Sequence, residues 1–112
     1  MTDDEKDKDG ARHWCITIKK KKGITWKAKE DERVRYVIWQ LEEGKGGYLH
    51  YQVYIEFNSP QRLEAVKKYI NRSDAHCEKR KGPREKARNY CRKEESHVEG
   101  PWEIGKWIKG LS

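Results

Sequence analysis

The sequence contains few cysteines and no long apolar run. Its three cysteines, Cys15, Cys77 and Cys91, are odd in number, and no Cys-x-x-Cys pair occurs among them. This argues against a secreted disulfide scaffold and against a zinc ribbon, and it predicts reduced thiols in an intracellular protein. No stretch approaches about 18 consecutive apolar residues, and no signal-peptide core is present, so we expect no membrane partner.

Basic residues outnumber acidic ones beyond the first ten positions. The chain has 112 residues, of which 26 are Lys or Arg and 19 are Asp or Glu, for a net charge of +7. Residues 1–10 hold five acids and two lysines, so the remainder carries a net charge of about +10, which suits a polyanionic partner. We expect a disordered acidic tail over residues 1–12 and one folded domain over residues 13–112.

Alternating apolar and polar residues predict several β-strands. The segments are residues 14–18, 35–41, 48–57, 75–79 and, with weaker alternation, 100–107. Gly44, Gly46 and Gly47 form a flexible turn between the second and third segments, which predicts a hairpin.

A helix is predicted after the third strand. Ser59 suits the N-cap and Pro60 the first helical position, and Leu63, Val66 and Ile70 follow at the spacing of an apolar helical stripe. Strands interleaved with helices predict an α+β fold, with a central antiparallel sheet of about five strands and flanking helices.

The predicted third strand has two chemically different faces, because successive side chains alternate across a sheet. His50 and Gln52 share one face at a separation of roughly 6–7 Å, a distance that one cation can bridge. Glu42 and Glu43 at the end of the preceding strand are both candidates for a completing carboxylate, and such a set suits Mg²⁺ or Mn²⁺. The alternative is an ordinary polar surface. The other face, expected to pack against a helix, consists of Leu49, Tyr51, Val53, Ile55 and Phe57.

A second helix is predicted from Gly82 to about Glu94. Tyr90 and Lys93 are three positions apart and would emerge on one helical face. The helix has little apolar content, so we expect it to dock loosely and leave Tyr90 mobile. An unperturbed tyrosine phenol has a pKa of about 10, and it needs a neighbouring ammonium and a metal-bound phosphate to become an effective nucleophile. The alternative is an ordinary core or surface aromatic residue.

Four groups of residues resemble the motifs of one family. They are residues 13–20, residues 42–44 with 49–52, residues 75–82 with 89–94, and residues 100–105. In this order and spacing they resemble the N-terminal HUH endonuclease domain of the replication initiators (Rep) of small circular single-stranded DNA viruses, of the circovirus type. The resemblance covers roughly residues 12–108 and implies an RRM/ferredoxin-like HUH endonuclease fold.

The resemblance implies a nickase and strand transferase that initiates rolling-circle replication. It assigns Tyr90 as the nucleophile that forms a 5′-phosphotyrosine, with Lys93 as its basic neighbour. It also implies one divalent metal ion, Mg²⁺ or Mn²⁺. The implied metal ligands are Glu43, His50 and Gln52, where Glu43 is chosen because it directly precedes a glycine. Placing Glu43 on the site face would require a bulge or turn in the second strand near Glu42.

The implied partner is single-stranded DNA, within an origin stem-loop. The resemblance further implies a helicase domain that follows in the full-length protein and a location in the host cell nucleus, and it raises homo-oligomers as a possibility. The run of lysines from 19 to 22 has two other interpretations, a solvated loop and a nuclear-import signal. Phosphate contacts are expected from Lys19, Lys20, Lys21, Lys22, Arg80, Lys81, Arg84, Lys86 and Arg88.

Two other classes of function are considered. A non-catalytic RRM-like module that stacks single-stranded nucleic acid on exposed aromatic residues would keep the fold, but it would need no metal and would leave Tyr90 unreactive. A small structural zinc protein would need tetrahedral Cys and His spacing, which this sequence lacks.

Overall fold

The structure, a computed structural model, describes residues 10–111. Residues 1–9 of the predicted tail lie outside the described residues, whereas Ala11 and Arg12 belong to the first strand. Both helices are short, and none in the described part of the chain is long and apolar enough to cross a membrane. The elements are β1 (Ala11–Lys19), β2 (Val34–Glu43), a single 3-10 turn (Lys45–Gly47), β3 (Leu49–Gln61), α1 (Leu63–Ile70), β4 (His76–Lys79), α2 (Arg84–Tyr90) and β5 (His97–Gly105).

The strands form one antiparallel sheet in the order β4-β1-β3-β2-β5. Each of the five predicted strand segments is present, so the α+β fold with a central antiparallel sheet and flanking helices is confirmed. Strand β3 lies between β1 and β2, so both of its sides are hydrogen-bonded over most of its length. This order places the polar face of the predicted hairpin at the centre of the sheet.

One face of the sheet is apolar and carries α1. The helix buries Val66, Tyr69 and Ile70 in the main hydrophobic core, which also contains the alternate apolar residues of the first three strands. The predicted division of β3 into an apolar and a polar face is therefore confirmed. Its core residues, each at most 1% exposed, are Tyr51, Val53, Ile55 and Phe57.

Helix α1 begins later than predicted. Strand β3 continues through Ser59 and Pro60, and Leu63 is the first helical residue, with Arg62 at the N-cap and no side-chain capping bond. Pro60 is tolerated in this strand because β2 pairs with β3 only as far as Phe57, so the missing N–H removes no bond on that side. The prediction that Ser59 caps the helix is wrong.

The opposite face carries α2, which ends at Tyr90 rather than near Glu94. The expectation of loose docking is wrong, because ion pairs add to a small apolar cluster that includes Ala87 and Cys91. The guanidinium of Arg84 is almost fully buried and donates to both carboxylate oxygens of Glu56, at 2.6 and 2.7 Å. It also lies 3.6 Å from the centre of the Trp107 ring. The first turn of α2 is thus held firmly against the sheet.

Candidate active site

A row of polar residues crosses the sheet on the same face as α2. Lys19 of β1 and Glu42 of β2 lie directly opposite His50 of β3, one on each side, and residues paired in this way project from the same face. The Glu42 carboxylate is fully buried, and its Oε1 lies 3.4 Å from Nε2 of His50. Tyr48 stacks on the imidazole with ring centroids 5.3 Å apart. The imidazole is therefore held between a carboxylate and an aromatic ring.

The carboxylate beside His50 belongs to Glu42 and not to Glu43, the residue that the resemblance implied. Glu43 is paired with Leu49 and is exposed, so it projects from the other side of the strand. The bulge that would bring Glu43 onto the site face is absent on the β3 side, where the pairing is regular from Tyr36 to Glu43. The alternation of side chains along β2 therefore places Glu42, and not Glu43, on the face that carries His50.

Gln52 lies two residues after His50 in β3 and therefore on the same face of the sheet. Its amide nitrogen donates to the Ile16 carbonyl, and its amide oxygen accepts from the Thr17 hydroxyl, both at 3.3 Å. Because the nitrogen faces a carbonyl, the orientation of the amide is determined. The oxygen keeps a second lone pair that could serve a cation.

Tyr90 is the last residue of α2, and Lys93 follows in the turn beyond the helix rather than within it as predicted. The backbone N–H groups of Cys91 and Arg92 donate to carbonyls three residues earlier, and this tight turn keeps the two side chains together. Nζ of Lys93 lies 3.8 Å from the centre of the Tyr90 ring. Tyr90 is 54% exposed, which leaves the phenol accessible to a large substrate.

The ammonium of Lys93 connects the two predicted halves of the site. It lies 3.4 Å from Oε1 of Glu42, the same oxygen that faces His50. Partial burial by itself lowers the pKa of Lys93, but the Glu42 carboxylate and the Tyr90 hydroxyl outweigh it, so the pKa lies above its ordinary value. Lys93 is therefore a cation at neutral pH and cannot serve as a proton acceptor there.

The residues around His50 fit a hard divalent cation. Oε1 of Glu42 and Nδ1 of His50 are buried and have no hydrogen-bond partner, and the contacts of Oε1 are the two nitrogens at 3.4 Å described above, so both atoms can accept a further contact. With the amide oxygen of Gln52 they would form a set of carboxylate, imidazole and amide donors, which Mg²⁺ and Mn²⁺ accept. Within residues 10–111 no group of three or more His, Cys, Asp or Glu is arranged to hold a metal ion, so the amide is needed to complete the set.

The residues predicted to bind DNA phosphates fall into two groups. Lys19 is exposed and lies beside His50, whereas Arg84 is buried in an ion pair with Glu56. The charge of Arg84 is already neutralised inside the protein, so the predicted contact of Arg84 with DNA has no support in this structure. Arg88 is likewise engaged with the Tyr36 hydroxyl and Glu103, and Arg80 with the Tyr54 hydroxyl. The lysines that remain exposed or partly exposed are Lys19, Lys20, Lys21, Lys22, Lys81 and Lys86.

One residue of the cluster, Gln40, was not predicted from the sequence. It lies in β2 directly opposite Gln52 and is fully buried. Its amide nitrogen donates to Oε2 of Glu42 and to the backbone carbonyl of Lys93. A signal for it exists in the sequence: Gln40 is a polar residue inside an apolar strand, two positions from Glu42 and therefore on the same face.

Comparison with known proteins places the chain in a family. A family model described as a putative viral replication protein matches residues 11–94. The chain is 38% identical over 98 residues to the master replication protein of Subterranean clover stunt virus (strain F), covering 88% of this chain and 32% of that protein. It is 41% identical over 105 residues to Para-Rep C7 of the Faba bean necrotic yellows C7 alphasatellite, covering 91% and 34%. The chain thus spans about a third of the length of these relatives.

The matched segment contains the whole polar cluster, from Lys19 at the end of β1 to Lys93 after α2. The five-stranded antiparallel sheet with its two helices is compatible with the RRM-like HUH fold that the sequence motifs implied. The predicted resemblance to replication initiators of circular single-stranded DNA viruses is confirmed at the level of the family. By sequence, the chain belongs to the viral replication protein family.

Proposed function

We propose that this domain is a metal-dependent, site-specific single-stranded DNA endonuclease and strand transferase that initiates rolling-circle replication of a circular viral genome. The observation that carries the proposal is the position of the Lys93 ammonium, which lies against both the Tyr90 ring and the Glu42 carboxylate. Through it, the candidate nucleophile and the candidate metal ligands belong to one site on one face of the sheet.

In the proposed reaction, Tyr90 supplies the nucleophile. Its hydroxyl oxygen forms a bond to the scissile phosphorus, and the bond between phosphorus and the 3′ oxygen breaks. The DNA becomes attached to the protein as a 5′-phosphotyrosine, and the leaving strand keeps a 3′ hydroxyl. The phenol loses one proton and the 3′ oxygen gains one, so the step is balanced. Attack by a 3′ hydroxyl on the phosphotyrosine reverses the step and joins DNA without an external energy source.

Lys93 supplies positive charge to this reaction rather than accepting the proton. A fixed cation beside the phenol stabilises the negative charge that develops on the tyrosine oxygen and on the phosphate. Lys19, on the other side of His50 from Glu42, would attract the neighbouring phosphates. A divalent cation held by Glu42, His50 and Gln52 would draw charge from the scissile phosphate and orient it.

The substrate we propose is single-stranded DNA within an origin stem-loop, contacted by the exposed lysines. Either Mg²⁺ or Mn²⁺ would serve as the cation, since both accept this donor set. For the full-length protein we propose a following helicase domain and action in the host cell nucleus. We also propose that the full-length protein forms homo-oligomers.

The decisive experiment is to incubate the protein with a stem-loop oligonucleotide and Mn²⁺ and to separate the products by denaturing electrophoresis. We expect a covalent protein–DNA adduct that EDTA suppresses and that Tyr90→Phe abolishes. Tyr48→Phe is the matched control, because Tyr48 is similarly exposed at 45% and phenylalanine keeps the ring that stacks on His50.

DNA binding without any adduct would contradict the proposal and would favour the non-catalytic RRM-like module. An adduct that persists in Tyr90→Phe would place the nucleophile elsewhere.

A further inference from the structure

The amide of Gln40 has an unambiguous orientation. Its nitrogen lies 3.2 Å from Oε2 of Glu42 and 2.8 Å from the backbone oxygen of Lys93. A carboxylate oxygen and a carbonyl oxygen can only accept hydrogen bonds, so the group that faces both of them has to be the NH₂. One side chain therefore uses both of its N–H bonds on two different parts of the site.

The first bond lies within β2, and the second joins β2 to a part of the chain that is distant in sequence. Gln40 and Glu42 belong to β2, while Lys93 lies in the turn that follows α2, 53 positions after Gln40. The other end of α2 is held by Arg84 and its contacts with Glu56. Near Tyr90 the helix end is held by the buried Cys91 and by the bond from Gln40. We call residues 90–93, the end of α2 and the turn after it, the nucleophile turn. Gln40 is thus a direct polar link between the nucleophile turn and the candidate metal ligand Glu42.

We propose that Gln40 is a positioning residue that sets the metal-binding carboxylate and the nucleophile turn relative to each other. The bond to Oε2 of Glu42 leaves Oε1 directed at His50 and Lys93. The bond to the Lys93 carbonyl fixes the backbone from which the ammonium reaches the Tyr90 ring. An effect of Gln40 on catalysis rests on the proposed function, whereas the hydrogen bonds that join Glu42 and the Lys93 backbone do not.

The test is Gln40→Met, which keeps the length of the side chain and removes both N–H donors. Two controls separate the proposed role from general effects. Gln61→Met makes the same substitution at a glutamine at the far end of β3, whose amide nitrogen donates to the carbonyl and hydroxyl of Ser59. Trp107→Leu removes the ring under Arg84 and Arg88 and so loosens α2 without touching Gln40. Circular dichroism and thermal melting confirm that each variant is folded.

Three measurements report on the role. Mn²⁺ affinity is measured by electron paramagnetic resonance without DNA, and residues that orient a metal ligand typically change such affinities by about 10–100-fold. We expect a loss in that range for Gln40→Met and a change within about twofold for the controls. At saturating Mn²⁺, the single-turnover rate of adduct formation should still fall, while the affinity for the oligonucleotide stays unchanged. In metal-free protein, the backbone amide resonances of residues 91–94 should shift in Gln40→Met and stay in place in Gln61→Met.

The proposal is overturned if Gln40→Met leaves those amide resonances and the Mn²⁺ affinity as in the wild type. It is also overturned if Trp107→Leu lowers the affinity as much as Gln40→Met does, because general loosening would then explain the loss. If the wild-type protein binds no Mn²⁺ and forms no adduct, the proposed function fails. The amide resonances would still decide whether Gln40 positions the turn.

Discussion

The two faces of the sheet hold their helices by different forces. Helix α1 packs an apolar stripe into the main core, whereas α2 has a smaller apolar cluster and is held in addition by Arg84 on Glu56 and by Arg88 on Glu103. Apolar burial is non-directional and tolerates repacking at constant volume. Charge-assisted hydrogen bonds instead fix the distance and direction of the groups that they join. The α1 face therefore tolerates small changes of packing, whereas the contacts of the α2 face fix the positions of the candidate site residues.

The largest expected effect comes from breaking the ion pair on the α2 face. Arg84→Met leaves the buried carboxylate of Glu56 without its main partner, which typically costs about 3–5 kcal/mol in the free energy of unfolding. A mild change on the α1 face, Ile70→Val, should cost only about 0.5–1.5 kcal/mol. Urea denaturation of both variants measures the difference.

A second variant sharpens this prediction. In Arg84→Met with Glu56→Leu no buried carboxylate is left without a partner, and Arg35, which also bonds Glu56, is partly exposed to water, so much of the lost stability should return. If the double variant is less stable than Arg84→Met, the ion pair is not the dominant contact of α2.

The next effect concerns the two adjacent glutamates at the end of β2. Glu42→Gln should weaken Mn²⁺ binding and slow adduct formation by about 100-fold, the upper end of what loss of an orienting partner causes, since a ligand itself is removed. Glu43→Gln should stay close to wild type, because Glu43 is exposed and projects from the other side of the strand. Metal titration and timed electrophoresis of both variants provide the measurement. The reverse order of effects would mean that β2 shifts its register when the cation binds.

The smallest effect is the response of the α2 face to acid. Burial alone would raise the pKa of Glu56, but hydrogen bonds from Arg84, Tyr54 and Arg35 outweigh it and lower the pKa to about 2. The stabilisation is therefore complete above the ordinary pKa of 4.5 and is lost as the pH falls toward 2. Melting temperatures between pH 6 and pH 3 should fall more steeply for the wild type than for the Arg84→Met/Glu56→Leu variant.

The comparison between these two proteins reports mainly on Glu56, because its effect and that of Arg84 on the pKa of His13 oppose each other. Asp31 and Asp74 also have pKa values lowered to about 2 by neighbouring arginines, but both residues are present in both proteins. Parallel melting curves across the pH range would show that the carboxylate of Glu56 adds no pH dependence of its own.

The strands and their faces could be predicted from the sequence because alternation is a local property. The pattern of β3 placed His50 and Gln52 together, and it placed Val53 in the core. The same rule applied to β2 favours Glu42, since Trp39 and Leu41 occupy the core face. The motif-based choice of Glu43 followed a neighbouring glycine instead and required a bulge that the β3 side of the strand lacks.

The manner in which α2 docks could not be predicted, because its contacts are far apart in the chain. Arg84 and Glu56 are 28 positions apart, and Gln40 and Lys93 are 53 positions apart. A helix rich in charge resembles a loosely attached surface helix until its buried partners are known. The buried position of Arg84 could not be predicted for the same reason, since composition does not distinguish an arginine that faces solvent from one that completes an internal ion pair.

The contact between Lys93 and Glu42 bears on whether folding would depend on the proposed metal ion. The negative charge of a carboxylate with no exposed surface is balanced by an ammonium from the same chain. Small zinc domains, in contrast, stay unfolded until metal neutralises and gathers their ligands. In this chain Lys93 supplies the counter-charge, so folding of the domain does not require a divalent ion. If the proposed function is correct, a chelator should abolish adduct formation and leave the domain folded.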